Sequence, residues 1–383
     1  MSDTALGAAA PALYIGLMSG TSLDGVDGVL VDFSAQSSGA ALCVLAHTHS
    51  PLPPALRAEA LALNRSGADE LHRSALAANA LSVLEAEVVR TLLAQADLSP
   101  AAVRAIGAHG LTLRHQPGLH DGLGYTLQMH NGALLAELTG LDVVCDFRTR
   151  DVAAGGQGAP LVCAFHQALF AQPGADVAVL NLGGQSNVTL LRSGGGILGF
   201  DCGPANALLD GWCERHLGHA FDDAGRWAAG GQADAALLGA LLNEPFFTRR
   251  PPKSTGRDDF NLAWLDAKLA ALPASLAPQD VQATLSAFVA RTVADALRLD
   301  APATRELLVA GGGAFNLDLL QRLRALLPGV AVLTTGDRGL DVSHVEATAF
   351  AWLAQAHVQR LAGNRVEVTG ARGPRVLGAL YPA

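Results

Sequence analysis

One pattern constrains this chain more than any other, because it occurs twice. "YIGLMSGTSLDGVDGVLVDF" (14–33) reads as a strand, a glycine-polar turn and a second strand. "DVAVLNLGGQSNVTLLRSGGGILGFDCG" (176–203) reads as strand, glycine-polar turn, strand, turn, strand. Residues 12–18, 26–33 and 41–49, rich in Leu, Val and Ile, make a matching run of three strands in the first half. Two copies of one meander are therefore expected, each with a phosphate-like turn after its first strand. The match is in pattern and not in residue identity.

A plain hairpin needs about two to five turn residues with Gly or Asn. The first turn instead sets Ser19, Thr21, Ser22, Asp24 and Asp27 around two glycines. Small residues let backbone N–H groups face outward. Hydroxyls and carboxylates suit a phosphate chain with its divalent metal. The plain alternative is an ornate surface loop, since glycine-rich turns are common. A third glycine turn, "LLVAGGGAFN" (307–316), follows a strand and precedes a helix over 317–327. Three strand-ending turns on two duplicated halves can face one cleft between domains. A dinucleotide fold would place GxGxxG after its first strand, opening a helix. Here the first turn opens another strand, and the GxxxxGK[ST] phosphate loop is also absent.

Other segments fill in the alternation. A helical pattern over 68–96 carries Leu76, Leu81, Leu84, Val88 and Leu92. "VRAIGAHG" (103–110) reads as a strand with a polar tip, followed by "YTLQMH" (125–130), a helix over 132–139 and "LDVVCDF" (141–147). Helices are expected over 206–217 and 343–361.

A length of 383 residues suggests two domains, and a hydrophobic half supplies sizeable cores. The net charge of -9, with no long basic tract, argues against nucleic acid as a partner. Five irregularly spaced cysteines without a CxxC pair fit a reducing compartment better than a disulfide framework. Cys213, His216 and His219 diverge on a helix and lack a fourth ligand, so no metal site is expected there. The N-terminus has no basic region before an apolar core, and no apolar run reaches about 18 residues. A soluble cytoplasmic protein without membrane association is expected.

A nucleotide cleft between duplicated β-β-β-α halves resembles the actin, hexokinase and heat-shock chaperone superfamily. "GLMSGTSLDGVD" (16–27) resembles one family within it: anhydro-N-acetylmuramic acid kinase, a bacterial cell-wall recycling enzyme. The resemblance continues through "AIGAHGLTLRH" (105–115), "DFRTRDVAAGGQGAPLV" (146–162), "NLGGQSNVTLL" (181–191) and "GFDCGPANALLD" (199–210). "PKSTGRDDFNL" (252–262), "LLVAGGGAFN" (307–316) and "GPRVLGALYP" (373–382) complete it. Nearly the whole chain is covered, in order. Leu111, Thr149 and Gln185 depart from the family pattern and touch no carboxylate or glycine that the chemistry needs.

The resemblance implies an α/β fold of two duplicated ribonuclease H-like (β-β-β-α-β-α-β-α) domains with a nucleotide cleft between them. Domain I is expected over 1–150 plus 365–383 and domain II over 151–364, with a hinge closing over ATP. The implied reaction opens the 1,6-anhydro bridge of 1,6-anhydro-N-acetylmuramic acid with water at C1. The freed O6 takes the γ-phosphate of ATP, giving N-acetylmuramic acid 6-phosphate and ADP in peptidoglycan recycling. A homodimer is a further implication.

Candidate residues follow on the matched motifs. Asp201, at a strand end in "GFDCGP", is the candidate base for water, with helix capping or turn bracing as the plain alternative. Gly20, Thr21, Ser22, Leu23, Asp24, Gly25, Val26 and Asp27 are expected at the ATP phosphates. Asp24 and Asp27 are the candidates to hold Mg²⁺ through water, and Asp27 could instead brace the turn. Gly183, Gly184 and Asn187 form the second phosphate turn; Gly311, Gly312, Gly313 and Asn316 form the third, under the adenosine. Close packing alone is the alternative for such glycines. Arg148 or Arg150 is expected to read the lactyl carboxylate, with Lys253 and Arg257 as further cations. His109 and Thr112 could meet sugar hydroxyls, and Glu346 either faces the sugar or completes a capping box with Ser343. Two rival functions stay open: a different sugar or acyl kinase of the superfamily, and a nucleotide-gated binding module without chemistry.

Overall fold

The computed structural model describes residues 12–20, 23–34, 42–256 and 259–383. Thr21, Ser22, Arg257 and the N-terminal stretch before Ala12 lie outside the described residues. The chain divides into two compact units, 1–165 with 346–383 and 166–345.

In the first unit, β1 (Leu13–Met18), β2 (Gly25–Asp32) and β3 (Cys43–Pro51) form the expected antiparallel meander. Beyond it, β4 (Val103–Ala108) lies parallel to β1, and β7 (Val143–Cys145) lies parallel to β4. The C-terminal β13 (Ala379–Tyr381) closes the edge, giving the order β13-β7-β4-β1-β2-β3. A separate hairpin pairs β5 (Leu111–Pro117) with β6 (Gly124–Met129). The helix Glu70–Gln95 buries Leu81, Leu84, Val88 and Leu92 at three- to four-residue steps, as one apolar stripe must. Burying each such side chain is worth about 1.5–3 kcal/mol.

The second unit repeats the arrangement. Here β8 (Asp176–Leu182), β9 (Gln185–Leu191) and β10 (Ile197–Pro204) form the antiparallel meander. Parallel to β8 lies β11 (Thr304–Ala310), and parallel to that lies β12 (Ala331–Thr334), in the order β10-β9-β8-β11-β12. Counted within each sheet, both share the order 3-2-1-4-5 with the same strand directions, and the first adds β13 at its edge. This shared topology is the duplication that the two meanders announced. The helix Pro278–Asp300 fills the core of the second unit with Leu285, Phe288, Val289 and Val293.

The helix Val345–Val358 packs in the first unit, although the sequence reading assigned it to domain II. Gly16 of β1 and Gly107 of β4 stand side by side in register. A Cβ at Gly16 would collide with the carbonyl oxygen of Ala347, and one at Gly107 with that of Phe350. The helix backbone thus lies directly on two bare positions of the sheet, with Ala347, Ala351 and Ala354 on its near side. Gly107→Ala should destabilise the protein by at least about 1–3 kcal/mol, because the obstacle is backbone that cannot rotate away. Gly194 has open space around it. Gly194→Ala should stay within about 0.5 kcal/mol of wild type. Urea unfolding midpoints of the two variants check this.

Candidate active site

Six of the expected residues gather in the first unit around the end of β1. Leu23 donates its N–H to the Gly20 carbonyl at 3.1 Å, closing the turn, and Asp24 Oδ1 accepts from Gly25 N at 3.0 Å. Gly25 and Val26 are buried in β2, so their contribution is the path of the backbone. Asp27 is half-buried and faces β3, where His49 Nδ1 lies 2.9 Å and His47 Nε2 3.6 Å from its Oδ1. Burial pushes the Asp27 carboxyl up, but the two histidines outweigh it and hold it below the usual carboxylate range.

His109 and Arg148 form one unit of structure. The Ser19 carbonyl can only accept, so His109 Nδ1 carries the proton and donates to it at 3.0 Å. The other ring nitrogen, Nε2, then accepts from Arg148 at 2.8 Å. Burial first, then the Arg148 charge, hold the His109 pKa down to about 3, which keeps this neutral tautomer. Both ring nitrogens are therefore engaged within the protein, where the sequence reading offered them to sugar hydroxyls. Arg148 also donates from a terminal nitrogen to the Gly158 carbonyl at 2.8 Å. Its guanidinium carries five N–H donors, and this pattern leaves one on each terminal nitrogen, the end-on fork that suits a carboxylate.

Arg150, by contrast, is exposed on the short helix Thr149–Ala153. Thr112 sits half-buried on the hairpin, where its hydroxyl accepts from Gln128 Nε2 at 3.4 Å. Glu346 opens its helix with its side chain in contact with solvent. Its carboxyl is pushed up by poor hydration and by Asp27 and Asp24, with Arg148 opposing. A carboxylate that the sequence reading passed over, Asp151, is fully buried and accepts from Gly158 N, Asn364 Nδ2 and Thr369 Oγ1 at 2.7–2.8 Å. It fixes the loop whose Gly158 carbonyl holds Arg148. Its signal in the sequence was only a place in "DFRTRDVAAGGQG".

The second unit brings together Asp201 and two glycine turns. Asn181, Asn187 and Asp201 lie opposite one another across β8, β9 and β10, and all three are half-exposed. They occupy the sheet face opposite Leu180, Val188 and Phe200, which point into the core. A Cβ at Gly183 or Gly184 would meet only ordinary contacts at 3.7 Å. Packing does not demand these glycines, so their bareness leaves the turn's backbone open to a ligand. Gly311 and Gly313 differ. Gly311 has φ +78, and side chains there would strike Asn181 and Leu182. Gly312 between them is exposed. Asn316 spends its Oδ1 on capping the helix Leu317–Leu326, accepting from Leu319 N at 3.0 Å. The departures from the family pattern are also placed. Leu111 is a core residue, Thr149 braces Asp146, and the Gln185 amide is buried with no hydrogen-bond partner among the described residues.

Asp201 N donates to the Lys253 carbonyl at 3.1 Å, and Asp201 Oδ2 accepts from Thr255 N at 2.9 Å. Among the described residues its other oxygen accepts no hydrogen bond. Burial pushes its carboxyl up to about 6, against the opposing pull of the Thr255 N–H and the Lys253 charge.

Two sheets of one topology, each with a polar glycine turn at the end of its first strand, form the duplicated α/β fold that the resemblance implies for a phosphotransferase. The chain belongs to the anhydro-N-acetylmuramic acid kinase family, whose family model matches residues 12–383. Relatives named anhydro-N-acetylmuramic acid kinase agree over nearly their full length. That of Bordetella petrii is 61% identical over 97% of this chain and 96% of its own. That of Albidiferax ferrireducens is 56% identical over 97% of this chain and 99% of its own. The Pseudomonas putida relative is 55% identical over 97% of this chain and 100% of its own. No helix of the described residues is long and apolar enough to cross a membrane.

The raised Asp201 pKa carries a stability consequence. Its folded value of about 6 exceeds the ordinary 3.8, so between these the native state binds more protons than the unfolded chain. Stability then falls as pH rises through this window. Asp201→Asn keeps an acceptor for Thr255 N and removes the charge. The variant should be more stable than wild type at pH about 8, with the gain vanishing near pH 4. Urea titrations at both values test it.

Proposed function

We propose that this kinase opens the 1,6-anhydro bridge of 1,6-anhydro-N-acetylmuramic acid with water and phosphorylates the freed O6 from ATP. The products are N-acetylmuramic acid 6-phosphate and ADP, in peptidoglycan recycling in the cytoplasm. The observation that carries this reading is Asp201: a half-buried carboxylate with one oxygen held by Thr255 and the other open. Asp201 takes a proton from water as the water oxygen bonds to C1. The C1–O6 bond breaks with its electrons on O6. O6 attacks the γ-phosphorus, and ADP leaves with the electron pair of the broken P–O bond. Such a base needs a pKa near the working pH, and about 6 meets that need.

Arg148 binds the lactyl carboxylate through its two remaining N–H groups, and His109, held by Ser19, positions it. Gly20 through Asp27, Gly183, Gly184 and Gly312 serve the nucleotide with their backbone, and Asn187 flanks Asp201. The charges of Asp27 and Asp24 both act on Glu346, and among the described residues no three side chains converge as direct metal ligands. This fits a hydrated Mg²⁺ held by one or two carboxylates. When bound, the ion neutralises charge on the phosphates. An open base disfavours a binding module, which needs no proton acceptor.

Two experiments test the reading. Asp201→Asn should still bind ATP but lose ring hydrolysis and ADP formation together, by about 10²–10⁴-fold. In heavy-oxygen water the label should end on C1 and not in the phosphoryl group. Label in the phosphate, or ring opening at the wild-type rate in Asp201→Asn, refutes the mechanism. For Arg148, a lost charge-assisted pair costs about 1.5–3 kcal/mol. Arg148→Met should weaken the muramyl substrate far more than the anhydro-N-acetylglucosamine analogue, which lacks the lactyl group. Arg150→Met should leave both near wild type. Equal losses for the two sugars in Arg148→Met remove the lactyl role.

A further inference from the structure

Behind β10, within the second unit, lies a cavity of about 280 Å³. Cys202, Leu242, Phe247, Lys253, Ala296 and Leu299 contribute to its wall. Cys202 belongs to the same core cluster as Phe200, so the cavity is on the helix-covered face of the sheet, away from Asp201. We infer that this cavity is a regulatory site for a small organic carboxylate with an apolar body, held by Lys253.

Charge decides the sign of the ligand. Arg291 pairs with Asp295 at 2.7 Å, and Asp295 also takes Arg298 at 2.9 Å. Asp300 pairs with Arg250 at 2.9 Å. Lys253 has no carboxylate within ion-pair distance among the described residues. Its ammonium instead lies 4.8 Å from the Phe246 ring centre and 5.7 Å from that of Phe200, and reaches the Phe246 carbonyl only at 3.5 Å. The wall itself carries two cations, Lys253 and Arg291, and two carboxylates, Asp295 and Asp300; each carboxylate is paired with an arginine, and Lys253 is the cation left over, in a chain whose net charge is -9. Asp201, which Lys253 also feels, is not part of the wall. Leu242, Phe247, Ala296 and Leu299 then favour an aliphatic body over bare phosphate.

Position decides what binding does. The Lys253 carbonyl holds Asp201 N, and Thr255, two residues on, holds the Asp201 carboxylate. Phe247 stands where a Cβ of Gly203, two residues after Asp201, would go. A carboxylate on Lys253 cancels the nearest positive charge acting on Asp201 and braces the strand segment that aims it. Occupancy should therefore shift the pH profile of the kinase upward. This coupling rests on Asp201 being the base; binding to the cavity does not.

The test is calorimetric titration of the full chain with hexanoate, inorganic phosphate and hexylamine, up to about 20 mM, where an affinity in the millimolar range is measurable. Hexanoate should bind saturably, and the other two at least about tenfold more weakly. Lys253→Met should weaken hexanoate at least about tenfold. So should Leu299→Glu, which puts an internal carboxylate into the wall from an exposed position and does not disturb the core. No saturable hexanoate binding, equal binding of phosphate or hexylamine, or an unchanged affinity in either variant overturns the site. Hexanoate binding that leaves the pH profile unmoved retains the site and removes its regulatory role.

Discussion

The first unit depends on one contact: a helix backbone resting on two glycines. Gly16 and Gly107 are neighbours in adjacent parallel strands, and the carbonyls of Ala347 and Phe350 occupy the space their side chains would need. No other residue type permits this approach. The approach fixes Phe350, whose ring lies 4.7 Å from His109 and 5.6 Å from Phe147. His109 is thereby clamped between an aromatic face, the Ser19 carbonyl and Arg148. The same helix carries Glu346 in its first turn and so delivers its carboxyl to the field of Asp27 and Arg148. A packing constraint deep in the sheet thus helps to place His109 and Glu346 at the end of β1.

The second unit solves the matching problem differently. There the close approach is at the turn, where Gly311 and Gly313 fit against Asn181 and Leu182 at the end of β8. The glycines of the β8–β9 turn are bare without being crowded. Two glycine runs that look alike in sequence therefore do different work: one joins strands tightly and the other leaves room. Close packing demands glycine at 311 and 313 and does not demand it at 183 and 184.

Much of this was legible. Alternating apolar strands around polar turns gave both meanders, and the helix read over 206–217 is observed as Asn206–Leu217. What escaped had physical reasons. The helix Pro278–Asp300 is buried nearly all round, and Gln282, Thr284 and Ser286 are fully enclosed, so no clean apolar stripe marks it. Gly16 and Gly107 look like interruptions of strands, because a close approach is a property of the partner helix. The site shows the same division. Asp201 announced itself by residue type and motif. The different settings of Arg148 and Arg150 did not, since His109 and the Gly158 carbonyl meet around the Arg148 guanidinium while Asp151 fixes the Gly158 loop.

Asp27 lies near the start of the second strand of its meander and Asp201 near the end of the third strand of the other, and their surroundings push them apart. Asp27 is held low by two histidines and stays charged, which suits the proposed role near phosphates and metal. Asp201 is held high by burial with a single N–H on its carboxylate, which suits accepting a proton. Further hydrogen bonds on Asp201 would stabilise its charge and the fold together, and would weaken it as a base by the same amount. The open oxygen is therefore a cost to stability that the proposed chemistry requires. Divergent carboxylates of this kind are how one fold assigns one acid to hold charge and another to move protons.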